Sequence, residues 1–193
     1  MFVLYLAEYQ QQAHDLASCL GIEAFLIASA ERKTLLSWAK QGDLAVLCAG
    51  QIALQPLTKP LPHAVAVDWA NKSLLWRLQH GGGRGELIAK ACGIKKELVP
   101  TIVDATAGFG KDSLLLASLG CQVTLVERSP LVAAMLADGW QRAIHEPALA
   151  EILPRMQLYH SDAKRYLSQL TAEQYPDVVY LDPMFPDRGN TAK

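Results

Sequence analysis

Apolar and polar positions fall into a regular alternation from Val99 onward, and into a less regular one before it. Thr101 to Ala105 reads as a buried strand with β-branched residues. Lys111 to Leu119 reads as a helix with Leu114, Leu115, Leu116 and Leu119, stopped by Gly120. Gln122 to Val126 is a second strand ending at Glu127-Arg128. Ser129 and Pro130 then supply a cap and a first-turn proline for a helix running towards Trp140. Met156 to Tyr159 is a third strand ending at His160-Ser161-Asp162, followed by a helix over Arg165 to Leu170 and a fourth strand over Asp177 to Leu181. Near-continuous apolar strands alternating with helices predict a mostly parallel sheet covered on both faces, the doubly wound α/β class.

The first half mixes the same elements. Met1 to Leu6 reads as a strand and Gln11 to Leu20 as a helix closed by Gly21. Ala24 to Ala28, Leu44 to Cys48 and Ala64 to Trp69 have strand length, and the Pro-rich stretch from Pro56 to Pro62 reads as a connector. Gly81-Gly82-Gly83-Arg84-Gly85-Glu86 precedes a helical run, Leu87 to Ala91, stopped by Gly93. The expected division is a small N-terminal α/β domain (1–80), a Gly-rich loop with a linking helix (81–98) and the main domain (99–193).

Composition narrows the class. A chain of 193 residues, 51% hydrophobic and 19% charged, has the balance of a globular domain, and no apolar run reaches the roughly 18 residues of a membrane span. The N-terminus lacks the basic start of a secretory signal. Cys19, Cys48, Cys92 and Cys121 are scattered without a CxxC pair or nearby histidines, so they are expected as reduced core residues of a cytoplasmic protein with no metal site. A net charge of -1 means that any nucleic-acid role needs a local basic patch. Arg77, His80 and Arg84 form one candidate; Lys164 and Arg165 read as solvated surface charge.

Ligands of such sheets bind outside the carboxyl ends of the strands, where strand order reverses. Four loops fall there. After the first strand, Gly108 and Gly110 flank Phe109, and the following helix start can hold a carboxylate or phosphate. Ser113 stands where a dinucleotide fingerprint has its third glycine, which weakens an NAD reading. Glu127, ending the second strand, is placed to accept from both ribose hydroxyls of a nucleoside. Asp162 is read equally as an acceptor for an adenine amino group and as a cap for the helix containing Arg165. Asp182-Pro183-Met184-Phe185-Pro186 ends the fourth strand with a carboxylate, a rigid carbonyl and an aromatic face. Those groups suit a methyltransferase acting on an amine conjugated to a ring. Asp182 and the Pro183 carbonyl orient the N–H groups, Phe185 stacks on the base, and catalysis comes mainly from alignment. The plain alternative is a Pro-rich turn that terminates a strand.

Together DATAGFGKD, VERSP, YHSDA, VVYLDPMFP and GGGRGE resemble the small-subunit ribosomal RNA guanine-N2 methyltransferase J family, from about Ala64 to the end of the chain. The resemblance implies a class I, Rossmann-like methyltransferase that moves a methyl group from S-adenosylmethionine to N2 of one guanine in 16S rRNA, as naked RNA or in the small ribosomal subunit. By motif position it implies cofactor contacts from Asp104, Gly108, Gly110, Lys111, Asp112, Glu127, Arg128, Asp162, Ala163 and Asp182. Asp182, Pro183 and Phe185 would be catalytic, and no metal would be needed. GGGRGE reads as a flap holding RNA through Arg84 with Arg77 and His80, or as a mobile interdomain loop. Methylation of adenine N6 or of glutamine, and a non-catalytic RNA-binding protein of the same fold, remain alternatives; an NAD-dependent oxidoreductase ranks third. A sheet of this type normally continues with three more strands, whereas eleven residues follow Asp182. The chain is therefore expected to be a fragment lacking C-terminal strands.

Overall fold

The computed structural model describes residues 1–183 and contains two sheets. The first is built from β1 (Phe2–Tyr5), β2 (Ala24–Leu26), β3 (Leu44–Cys48), β4 (Ile52–Pro56) and β5 (Val65–Ala66), in the order β2-β1-β3-β4-β5. β1 runs parallel to β2 and β3, and the β3, β4 and β5 pairs are antiparallel. Strand periodicity explains how this sheet serves two cores. Val3, Tyr5, Val46 and Cys48 point into a large cluster, while Phe2, Leu4, Ala45 and Leu47 point into a smaller one with Ile27, Leu35 and Leu57. Helix α1 (Gln10–Leu20) ends at Gly21, which takes the left-handed conformation (φ 64°). Helix α2 (Arg32–Ser37) precedes β3.

Three elements here go beyond the sequence reading: β4, α2 and α3 (Lys72–His80). β4 takes in Pro56, the first residue of the expected connector; proline is tolerated there because it sits at the strand's last position. The expected strand at 64–69 narrows to β5, and its remaining residues Val67 and Trp69 are buried in the large core. Asn71 caps α3, its side chain accepting from the Ser73 N–H at 2.9 Å. A 3₁₀ turn (Gly83–Gly85) leads to α4 (Leu87–Ala91).

The second sheet follows the predicted alternation. It comprises β6 (Thr101–Asp104), α5 (Lys111–Ser118), β7 (Gln122–Glu127), α6 (Pro130–Ala143), β8 (Met156–His160), α7 (Ala163–Ser168) and β9 (Val178–Tyr180). All its strands are parallel, in the order β8-β7-β6-β9. The chain winds outward from β6 through β7 to β8, then returns to the other flank of β6. Strand order thus reverses between β6 and β9, and the carboxyl ends of these two strands form the crevice in which such sheets bind ligands. Asp104 lies opposite both Leu125 and Tyr180 in register.

The two sheets share the large core, which runs from Val3 and Val46 through Val67 and Trp69 to Leu114, Leu125 and Met135. Asp138 on α6 accepts from the Ile52 N–H (3.1 Å) and from Arg142 Nε (3.0 Å), and Arg142 in turn donates to the Val67 carbonyl. A Cβ at Gly139 would come within 2.5 Å of Val67, so only glycine lets α6 approach this closely. Of the cysteines expected in the core, Cys48, Cys92 and Cys121 are buried, and burial pushes the Cys48 and Cys121 thiols up to about 11. Cys19 is exposed because it lies off the α1 face formed by Ala13, Leu16 and Ala17. Among the described residues no helix is long and apolar enough to cross a membrane.

Candidate active site

The turn after β6 is organised from within. Asp104 is 1% exposed. Its Oδ2 accepts from the buried Ser113 hydroxyl at 2.6 Å, and its Oδ1 from the Thr106 N–H at 3.1 Å. Burial raises its pKa above the usual carboxylate value, against the pull of those two hydrogen bonds. Asp104 therefore shapes the turn from within, with both carboxylate oxygens bonded to it. The same bond explains Ser113. A hydroxyl stands at the third fingerprint position because it satisfies a buried carboxylate.

Gly108 and Gly110 both adopt positive φ (53° and 67°), which side chains rarely tolerate. At Gly110 there is also no room, since a Cβ would lie 2.7 Å from Trp69 Cζ2 and 3.0 Å from Leu136 Cδ1. Trp69 closes the turn from outside the second sheet: its Nε1–H donates to the Phe109 carbonyl at 2.9 Å. Beyond the turn, the N–H groups at the start of α5 point out of the helix, next to the exposed Lys111.

Glu127 ties this turn to the next strand. Its Oε2 accepts from the Gly108 N–H (3.0 Å) and its Oε1 from the Ser129 N–H (2.7 Å). Each oxygen keeps a lone pair for another donor. Arg128 is exposed. At the end of β8 the Asp162 side chain caps α7, with Oδ1 accepting from the N–H groups of Lys164 (2.9 Å) and Arg165 (3.1 Å). Its Oδ2 has no such bond among the described residues, and Ala163 begins the helix.

β9 brings the last group in. Tyr180 donates its hydroxyl to Asp112 Oδ2 at 2.9 Å, and the Asp182 N–H donates to Thr106 Oγ1 at 2.8 Å. Asp182 and Pro183 are exposed, whereas Met184, Phe185 and Pro186 lie outside the described residues. Burial, the bond to Asp112 and the nearby Asp182 and Asp104 carboxylates push the Tyr180 phenol up, so it stays a neutral donor. Asp112, Glu127 and Asp182 thus lie by the carboxyl ends of β6, β7 and β9, with Asp104 buried behind the turn.

The basic patch differs in detail from its outline in sequence. Arg77 is not a free cation, because its guanidinium pairs with Glu86 at 2.5 Å. His80 stacks on Trp76, and Arg84 is exposed in the 3₁₀ turn. Sequence reading missed Trp69, Thr106 and Tyr180.

A parallel sheet of this order, a double-glycine turn after its first strand, an acid ending the second and an Asp-Pro at the switch point define the class I methyltransferase fold. The family described as putative SAM-dependent methyltransferase matches residues 12–193, and the chain belongs to it. It is 46% identical over 167 residues to the ribosomal RNA small subunit methyltransferase J of Aeromonas hydrophila, covering 84% of this chain and 66% of the relative. With the protein of the same name from Cellvibrio japonicus it shares 44% over 146 residues, covering 73% and 55% respectively. The chain thus spans roughly half to two thirds of the length of these curated relatives. A solved SAM-dependent methyltransferase from Neisseria gonorrhoeae superimposes with a TM-score of 0.70 at 30% identity, covering 95% of this chain and 70% of that one.

Proposed function

We propose that this chain carries the cofactor site and part of the acceptor site of an enzyme that methylates the exocyclic N2 of a guanine in 16S rRNA, in the cytoplasm. The names of the relatives support an rRNA substrate, and the Asp-Pro turn supports an amino group on a planar base. The observation that carries the reading is the Asp182–Thr106 hydrogen bond at 2.8 Å. It ties the backbone of Asp182 to the segment that leads into the glycine turn.

The donor set fits S-adenosylmethionine, which supplies an electrophilic methyl group on a sulfonium. The open N–H groups at the start of α5, with Lys111, suit its carboxylate. The free lone pairs of Glu127 suit a ribose diol, and Asp162 Oδ2 and Arg128 border the adenine side. The surrounding carboxylates favour its positive charge. Asp182 and the Pro183 carbonyl would accept from the guanine N2 hydrogens, holding a weakly nucleophilic nitrogen in line with the methyl group, and Phe185 would stack on the base. The target base must leave its stack to enter.

The test uses small subunits or rRNA from a strain lacking the activity, incubated with labelled S-adenosylmethionine, followed by mapping of the modified nucleotide. Asp182→Ala is expected to lower transfer by about 100-fold or more, with a much smaller loss of cofactor affinity. Label on adenine, or wild-type transfer by the variant, would overturn the assignment.

A further inference from the structure

Helix α3 presents an aromatic surface that the reaction above does not use. Lys72, Trp76 and His80 recur every fourth residue and so form one stripe. Leu74, Leu75 and Leu78 turn the opposite face into the core. Trp76 is left 62% exposed, its indole stacked on the His80 imidazole with centroids 5.3 Å apart and planes 20° apart. The His80 ring is held in turn by Nδ1, 3.3 Å from the Trp76 carbonyl oxygen.

The surroundings favour a polyanion over an apolar partner. α3 contains no carboxylate, Lys72 stands at one end of the stripe, and Arg84 lies exposed just beyond the other. Arg77, on the flank of the helix, pairs with Glu86, and α3 begins three residues after Trp69, whose indole N–H is bonded to the Phe109 carbonyl of the glycine turn at 2.9 Å. The helix that bears the stripe is thereby tethered at its start to the glycine turn. A rigid aromatic pair flanked by cations is how single-stranded nucleic acid is held: bases stack and phosphates meet the charges.

We propose that Trp76 and His80 form a stacking platform for an unpaired rRNA base near the target guanine, with Lys72 and Arg84 taking adjacent phosphates. This rests on the rRNA reading above and adds Trp76 and Lys72 to the RNA surface. Arg77 becomes a positioning residue that braces the helix.

The experiment titrates a short, dye-labelled single-stranded RNA with the chain, without cofactor, following RNA anisotropy for affinity and tryptophan fluorescence for stacking. RNA should quench the wild type and bind Trp76→Ala roughly tenfold more weakly, with Trp76→Phe recovering most of the loss. Thermal unfolding and S-adenosylmethionine affinity should stay unchanged, since the indole is exposed and outside the cofactor turn. Equal RNA affinity in wild type and Trp76→Ala would overturn the platform, as would a Trp76→Ala variant that loses only self-association in sedimentation. The two readings separate cleanly. RNA binding through Trp76 with no guanine methylated retires the activity alone, and guanine methylation with RNA affinity indifferent to Trp76 retires the platform alone.

Discussion

At the end of β6, Asp104 is 1% exposed and accepts two hydrogen bonds, and the turn beyond it is clamped by Glu127 and Trp69. Two residues past the neighbouring strand β9, Asp182 is exposed, and its backbone N–H donates to Thr106 Oγ1. On the proposed function, the difference follows from what each side would bind. A small cofactor rewards a turn whose supporting groups are already bonded before it arrives, because little reorganisation is then needed on binding. A base delivered on a large RNA must enter and leave, so the groups that receive it stay solvated until it does. Substitutions on the cofactor side should therefore act through stability and cofactor affinity together. Those on the acceptor side should act on transfer alone.

Gly110→Ala gives the strongest test of the cofactor side. The new methyl group would meet the wall formed by Trp69, Leu136 and Leu125, at a backbone conformation (φ 67°) that alanine resists. We expect a loss of about 2–4 kcal/mol in unfolding free energy, with S-adenosylmethionine binding abolished in calorimetry. A variant of wild-type stability that still bound cofactor would dissolve the contrast between the two sides.

Ser113→Ala is a milder break in the same place. It leaves Asp104 Oδ2 buried without its donor, at a cost of about 1–3 kcal/mol. It also sharpens a pH signature. The folded pKa of Asp104 is raised above its ordinary 3.8, so the folded state binds more protons than the unfolded chain. Its contribution to stability is therefore greatest below the ordinary value and declines as pH rises through the raised one. Losing the serine donor lifts the folded pKa further, so the decline should extend to higher pH in denaturant titrations. Asp104→Asn should remove it.

Legibility followed sequence distance. From β6 to β9, each strand and helix carries its own apolar period, and the pattern of Leu114, Leu115 and Leu116 or the cap at Ser129 is local. β4 is obscured because Gln55, buried at 4% and satisfied by the carbonyls of Pro56 and Pro62, and then Pro56 itself cut its apolar run to three residues. α2 has six residues and a single buried one, Leu35, too little for a period. α3 was within reach, since Asn71 is a good cap and Leu74 and Leu78 have helical spacing. The site's glycines and acids were visible as types. Their supports were not: Trp69 meets Phe109 across 40 positions, Tyr180 meets Asp112 across 68, and Asp182 meets Thr106 across 76. No local rule links such pairs.

Thr106→Val probes the acceptor side most gently. It keeps the shape and the β-branching and removes only the hydroxyl oxygen that accepts from the Asp182 N–H. That N–H is exposed and can turn to water, so unfolding free energy should move by less than about 0.5 kcal/mol. Thr106 also holds Asp104 through its own backbone N–H, which the substitution leaves in place, so cofactor affinity should persist. What changes is the aim of the Asp182 carboxylate, and alignment is where this reaction gains its rate. Transfer should fall by about threefold to tenfold at saturating RNA and cofactor, read as kcat in a single-turnover assay. A drop in cofactor affinity of equal size would mean that Thr106 couples the two sides, and that the acceptor carboxylate is ordered by the same network as the turn.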